Sequence, residues 1–151
     1  MAIRKIIQLG DETLRKKSFP VTEINNKIIQ LLDDMKDTLA KAQGAGLAAV
    51  QVGVLRRIFI VDVEEGYFEF INPEILSKKG EQYGLEGCLS VKGKWGDVKR
   101  PKEVVIKAQD RTGKYFTIKA NDFFAKAICH EYDHLEGIVY VDKADNLRSE
   151  G

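Results

Sequence analysis

His130 and His134 are the only histidines in the chain, and the stretch CHEYDHL at 129–135 sets them four residues apart with a glutamate directly after the first. On an α-helix, positions i and i+4 share a face, so both imidazoles aim at one spot with Glu131 beside them. The feature therefore requires a helix. It also requires a second part of the chain to come to that helix and complete whatever the rings hold. Two histidines placed at random would stand this way, with glutamate after the first, in about one case in a thousand. The spacing is that of zinc helices, in which the glutamate works as general base; the plain alternative is one charged, solvated helix turn.

Two imidazoles do not fill a coordination shell, and a catalytic site commonly takes three protein ligands plus a water. With no third histidine, the candidates are a carboxylate or one of the two thiols, Cys88 and Cys129. Cys129 is turned ~100° around the helix from His130, which points its sulfur away from the direction the rings share and into the core. Cys88 lies in GLEGCLSV, a glycine-flanked stretch between segments that read as extended, where the backbone can bring a side chain against another element. It is the expected third ligand, with a small buried hydrophobe as the ordinary alternative. A Cys, His, His set with one open position suits zinc, iron(II), cobalt or nickel.

A chain of 151 residues that is 44% hydrophobic has enough apolar material for one core, so residues 1–151 are expected to form a single catalytic domain with a polar tail from about 143 to 151. Lys and Arg total 24 against 23 Asp and Glu, a formal charge of +1, which leaves no excess field for a phosphate backbone. Direct nucleic-acid binding is not expected. The N-terminus MAIRKIIQLGDETLRKK lacks the apolar stretch of a signal peptide, and no run approaches the ~20 apolar residues that span a bilayer. Together with two unpaired-looking cysteines, this predicts a reducing, cytoplasmic location without membrane contact.

Periodicity supplies the frame. Ile24, Ile28, Leu31, Leu32, Met35, Leu39 and Ala42 recur at helical spacing, with Thr22 placed to cap the start and Gly44 just past the end. RIFIVDV at 57–63 reads as a strand, as does YFEFINP up to Pro73. EVVIKAQ and KYFTIK flank a DRTG turn and predict an antiparallel hairpin. A second helix is expected after the N-cap Asn121, burying Phe123, Phe124, Ala127, Ile128 and Leu135 until Gly137 ends it. GIVYVDK reads as a last strand and ADNLRSEG as the tail. The expected class is α+β, with antiparallel or mixed sheets packed around the helix that carries the histidines, plus a helix in the N-terminal half.

GAGLAAVQVG places Gly44, Gly46 and Ala49 at the spacing of a dinucleotide loop. That fingerprint needs a strand before the glycines and a helix after them; here the order is reversed, so nicotinamide binding is not expected. The stretch reads as a helix stop and a small-residue turn, where glycines also allow close approach to a ligand. Gln51, at its end, carries an amide able to donate to a developing oxyanion.

Taken together, GAGLAAVQ at 44–51, EGCLS at 86–90 and HEYDHL at 130–135 resemble the three signature motifs of peptide deformylases, in order and with similar spacing, and the similarity runs from LGDETLRKKSFPV through GIVYVDK. The resemblance implies a metal hydrolase that removes the formyl group from the formyl-methionine terminus of nascent polypeptides. It would have Cys88, His130 and His134 hold one divalent metal, commonly iron(II) in cells with zinc or nickel forms also occurring. Glu131 would be general base and acid, while Gln51 and the Leu89 backbone N–H would bind the oxyanion. Gly46 would offer backbone hydrogen bonds to the substrate, and Ala45, Phe123 and Ala127 would line the methionine pocket. Glu86 and Arg100 match positions that pair in the family. Cys129 stands where many members have Gln, and Trp95 where many have Arg. The tail after Asp142 is shorter than the helix some members dock on the ribosome, so that contact is left without a claim. Two other readings stay open at this point: a non-catalytic module whose metal site is closed by a fourth protein ligand, and another metallopeptidase with the same helix motif.

Overall fold

The computed structural model describes residues 2–149. Its first long element is α1 (Asn26–Ala42). The Asn25 side chain, not Thr22, accepts the Ile28 N–H at 3.2 Å and caps the start. Asparagine is the stronger cap, and the helix begins three residues later than the apolar period alone suggests. Gln43, in the left-handed region at φ 56°, ends it. Leu31, Leu32, Met35 and Leu39 form the buried face.

A five-stranded sheet has the order β1-β2-β3-β6-β7, built from β1 (Gly46–Ala48), β2 (Ile58–Val63), β3 (Gly66–Lys79), β6 (Glu103–Gln109) and β7 (Tyr115–Asn121). A three-stranded sheet has the order β4-β5-β8, from β4 (Gln82–Cys88), β5 (Val91–Arg100) and β8 (Asp145–Ser149). All named strand pairs are antiparallel; among the described residues the one parallel pairing is an isolated bridge between Phe19 and Arg56. The class is α+β, as expected.

β2 shows why Ile58–Val61 is an unbroken apolar run. Ile58 and Ile60 face α1 with Leu31, Leu32, Met35 and Leu39, whereas Phe59 and Val61 face the opposite core with Phe70, Val104 and Ile106. Alternate side chains enter alternate cores, and both are covered by a helix. The second of these is α2 (Asp122–Leu135), which contributes Phe124, Ala125, Ala127, Ile128, Cys129 and Leu135. Each large side chain buried this way contributes roughly 1.5–3 kcal/mol. α2 starts after Asn121 as predicted, although the Asn121 side chain makes no capping bond. It stops at Gly137, whose φ of 75° suits glycine and whose missing Cβ would meet the Arg15 carbonyl oxygen in close overlap.

Four further expectations are corrected. Pro73 does not stop β3: the register slips between Ile71 and Glu74, so the residue without an N–H falls where no ladder bond is needed, and the strand runs on to Lys79. Phe123 is 55% exposed and not buried, because the helix turns Phe124 and Ile128 inward and leaves it on the open side. GIVYVDK is not a strand; Val139 and Tyr140 plug a third core against Val91 and Val98, and Tyr140–Asp142 is a 3-10 turn. The last strand lies in the polar tail instead. Asp145–Ser149 pairs with β5, Lys94 opposite Ser149 and Asp97 opposite Asp145, since an edge strand needs backbone partners more than apolar side chains. Residues 150 and 151 of the expected tail lie outside the described residues.

Candidate active site

α2 presents His130 and His134 from successive turns, with ring centroids 5.2 Å apart. Cys88 arrives from the end of β4, in the second sheet, and its Sγ lies 3.4 Å from His134 Nε2. One donor atom from each of Cys88, His130 and His134 falls within 4.8 Å of the others, and among the described residues these three alone form such a group. Cys129 is not in it. Its side chain is packed in the core, and burial pushes its thiol up to about 11.

The donor chemistry fits a metal. Metal–sulfur and metal–imidazole bonds of about 2.3 and 2.0 Å at a tetrahedral angle put the donor atoms about 3.5 Å apart, close to the observed 3.4 Å. Burial drives the His134 imidazole well below its ordinary pKa, which keeps it neutral as a ligand must be. For His130 burial works in the same sense but is outweighed by Glu131, Cys88 and Glu86, which raise it. The negative groups that draw a proton there would draw a cation equally.

Glu131 stands next to this group, 4% exposed, and its Oε1 is buried without a hydrogen-bond partner. Burial pushes its carboxyl up to about 7, against the pull of His130. A carboxyl so placed can take up and give back a proton near neutral pH. Gly46 makes room for it: a Cβ at Gly46 would lie 2.6 Å from Glu131 Oε2.

The orientation of His130 is fixed from behind. Its Nδ1 meets Glu86 Oε1 at 2.9 Å, which leaves Nε2 for the site. Arg100 grips Glu86 in a two-pronged fork, Nε to Oε2 and Nη2 to Oε1, both 2.9 Å, and donates Nη1 to Asp133 at 2.6 Å. Burial alone would raise the Glu86 carboxyl, yet the bonds from Arg100 and His130 bring it down to about 2. With side chains only 2% and 3% exposed, Arg100 and Glu86 are a buried pair whose charges are satisfied by each other and by His130 and Asp133. Tyr140 stacks on the His130 ring at 6.0 Å.

Gln51 is held at both ends of its amide. Oε1 accepts the Ala48 N–H at 2.9 Å, and Nε2 donates to Ser90 Oγ at 3.0 Å and approaches Cys88 Sγ at 3.6 Å. Leu89 sits in the turn between β4 and β5, and its carbonyl accepts from Gln8 Nε2 at 3.0 Å. Ala45, Gly46, Gln51, Phe123 and Ala127 all line one cleft of about 910 Å³ together with Cys88, Leu89, His130 and Glu131. His134 lies deeper, fully buried.

Cys88 from the second sheet thus meets the two histidines of α2 in one group of metal-type donors. A sequence model described as polypeptide deformylase matches residues 3–150. The chain belongs to that family. It is 55% identical to a peptide deformylase of Thermoanaerobacter pseudethanolicus over 144 residues, 95% of this chain and 91% of the relative. A peptide deformylase structure from Legionella pneumophila superposes with a TM-score of 0.92 at 42% identity, covering 96% of this chain and 88% of that one. A peptide deformylase from Synechococcus elongatus, solved in complex with actinonin, does so with a TM-score of 0.90 at 35% identity, covering 93% and 78%. The chain is accordingly a hydrolase that removes N-formyl groups from nascent peptides, in a metal-dependent family. Among the described residues no helix is long and apolar enough to cross a membrane.

Sequence reasoning missed three contributors. Ser90 holds the Gln51 amide, Asp133 takes the third arm of Arg100, and the N-terminal segment lines the cleft through Ile3, Ile6 and Gln8. Asp133 lay within the histidine motif and could have been found as a second acid on that helix. Nothing local marks the other contacts.

Proposed function

We propose that Cys88, His130 and His134 hold one divalent metal, iron(II) in cells with zinc or nickel able to replace it, and that residues 1–151 act as one catalytic domain in the cytoplasm on the formyl-methionine end of chains leaving the ribosome. When bound, the metal supplies Lewis acidity at the formyl carbonyl and an activated water. The methionine side chain enters the apolar pocket at Ala45, Phe123 and Ala127, and the Gly46 backbone hydrogen-bonds the peptide. Glu131 takes a proton from the water that attacks the formyl carbon and passes it to the leaving amine nitrogen. Gln51 Nε2–H and the Leu89 N–H donate to the oxyanion of the tetrahedral carbon, each worth about 3 kcal/mol when removed. Formate and a free N-terminus result.

The observation that carries this reading is the buried, unpartnered Glu131 Oε1 beside three converging metal-type donors. The test is formate release from formyl-Met-Ala-Ser by protein purified without oxygen and reconstituted with iron, nickel or zinc, against acetate release from the acetylated peptide. Turnover of the formyl peptide alone supports the proposal. Equal cleavage of both, or internal peptide-bond cleavage, points to a general metallopeptidase. Actinonin, the ligand of the Synechococcus elongatus relative, is expected to block formate release.

A further inference from the structure

Overall the chain is almost neutral, with 24 basic and 23 acidic residues. Its cleft is not. Arg4, Lys5, Lys41, Lys92, Lys94 and Lys126 line it, against only two carboxylates, Glu86 and Glu131. Those two add little negative field at the mouth. Glu86 is neutralised by the Arg100 fork and His130, and Glu131 is buried at the floor.

Among the six cations, Arg4 is committed to Asp34 at 2.9 Å, and Lys126 Nζ donates to the Leu85 carbonyl at 2.6 Å, which leaves its charge in place. Lys5, Lys41, Lys92 and Lys94 are exposed and have no ion-pair partner among the described residues. They come from separate stretches: the N-terminal segment, the last turn of α1, and the start of β5. With Lys126 these make five unneutralised charges, and gathered from distant parts of a nearly neutral chain onto one cleft they form a local positive field.

We infer that this cleft selects its formylated peptides by charge, favouring chains with acidic side chains just after the methionine; the inference rests on the proposed function. The formyl group is uncharged and the methionine pocket apolar, so charge discrimination falls to the peptide beyond the first residue. The attraction acts between solvated groups, so it is screened over about 10 Å at about 0.1 M salt.

The test compares kcat/KM for formate release from two C-terminally amidated peptides, formyl-Met-Ala-Asp-Asp and formyl-Met-Ala-Lys-Lys, with formyl-Met-Ala-Ser-Ser as neutral reference. At about 20 mM salt the acidic peptide is expected to exceed the basic one about five-fold, the ratio falling towards one at about 0.5 M salt. The double variant K92E/K94E is expected to reduce or reverse the ratio at low salt while leaving the neutral peptide within about two-fold of wild type. Equal turnover of both charged peptides at low salt overturns the inference and leaves the proposed function standing. A preference that salt and K92E/K94E leave untouched also overturns it. Absence of formate from all three peptides overturns the proposed function itself, and the inference with it.

Discussion

A methyl group on Gly46 would lie 2.6 Å from Glu131 Oε2 and 2.8 Å from Glu131 Cγ, so the glycine of β1 is what allows the carboxyl of α2 to reach the floor of the cleft. The sheet edge and the helix are thus matched to within one methyl group at the point where proton transfer is proposed. Gly46 has an ordinary backbone conformation, since its φ is not among the positive ones. Alanine would be tolerated by the backbone and resisted by the glutamate, whose atoms lie nearest the added methyl group.

Gly46→Ala is therefore expected to lower kcat/KM about 100-fold by displacing the base, with a melting temperature close to wild type. Steady-state formate release and a circular-dichroism melt of the same preparation check it. Wild-type turnover in this variant would show that the carboxyl position is not critical.

Gln51→Glu keeps an oxygen to accept the Ala48 N–H but removes the amide donor. A fall in kcat of about 100- to 1,000-fold with little change in KM is expected for an oxyanion donor. A rise in KM alone would assign Gln51 to ground-state binding instead.

Glu86→Gln tests the brace behind His130. The substitution takes a carboxylate from a buried group in which Arg100 and His130 both depend on it. Metal affinity is expected to fall about 10- to 100-fold, and stability by about 3 kcal/mol. Competition with a chromophoric chelator and urea unfolding measure the two effects separately. An effect on stability alone would make the pair structural.

Acid stability should depend on Asp34. Burial would raise this carboxyl, yet hydrogen bonds from Gln30 and Arg4 outweigh it and hold it below the usual range. A lowered folded-state value means that the unfolded chain binds the proton more readily. The stabilisation is then complete above the ordinary carboxylate value of about 4 and is lost as pH falls through the folded value. The stability difference between wild type and Asp34→Asn is expected to be constant from neutral pH to about 5 and to shrink below about 4. Urea unfolding across that range reads it; a difference that grows on acidification would contradict the assignment.

Legibility in the sequence followed the distance over which each feature is encoded. His130, Glu131 and His134 could be read because one helix turn fixes their relation, and Cys88 because two rings left coordination positions open. Gln51 stood out only as an amide in a glycine loop. The amide's partner Ser90 and the cleft contribution of Ile3 and Ile6 are long-range contacts without a periodic signature. Pro73 and the strand Asp145–Ser149 defeated local rules for a common reason. In both, backbone pairing with a neighbour decides the structure: a register slip shelters the proline, and β5 supplies partners for an exposed edge whose one apolar residue is Leu147. Val139 and Tyr140 look like strand residues because burial selects the same side chains in a core plug as in a sheet.

The claim on which the mechanism rests is that one sulfur and two imidazoles hold the metal. X-ray absorption at the metal edge of the reconstituted protein tests it directly. The expected shell is one sulfur at about 2.3 Å and two imidazole nitrogens at about 2.0–2.1 Å, with a further light atom that exchanges with solvent and the sulfur scattering lost in Cys88→Ser. Two sulfurs in the shell, or a sulfur that persists in Cys88→Ser, would contradict it.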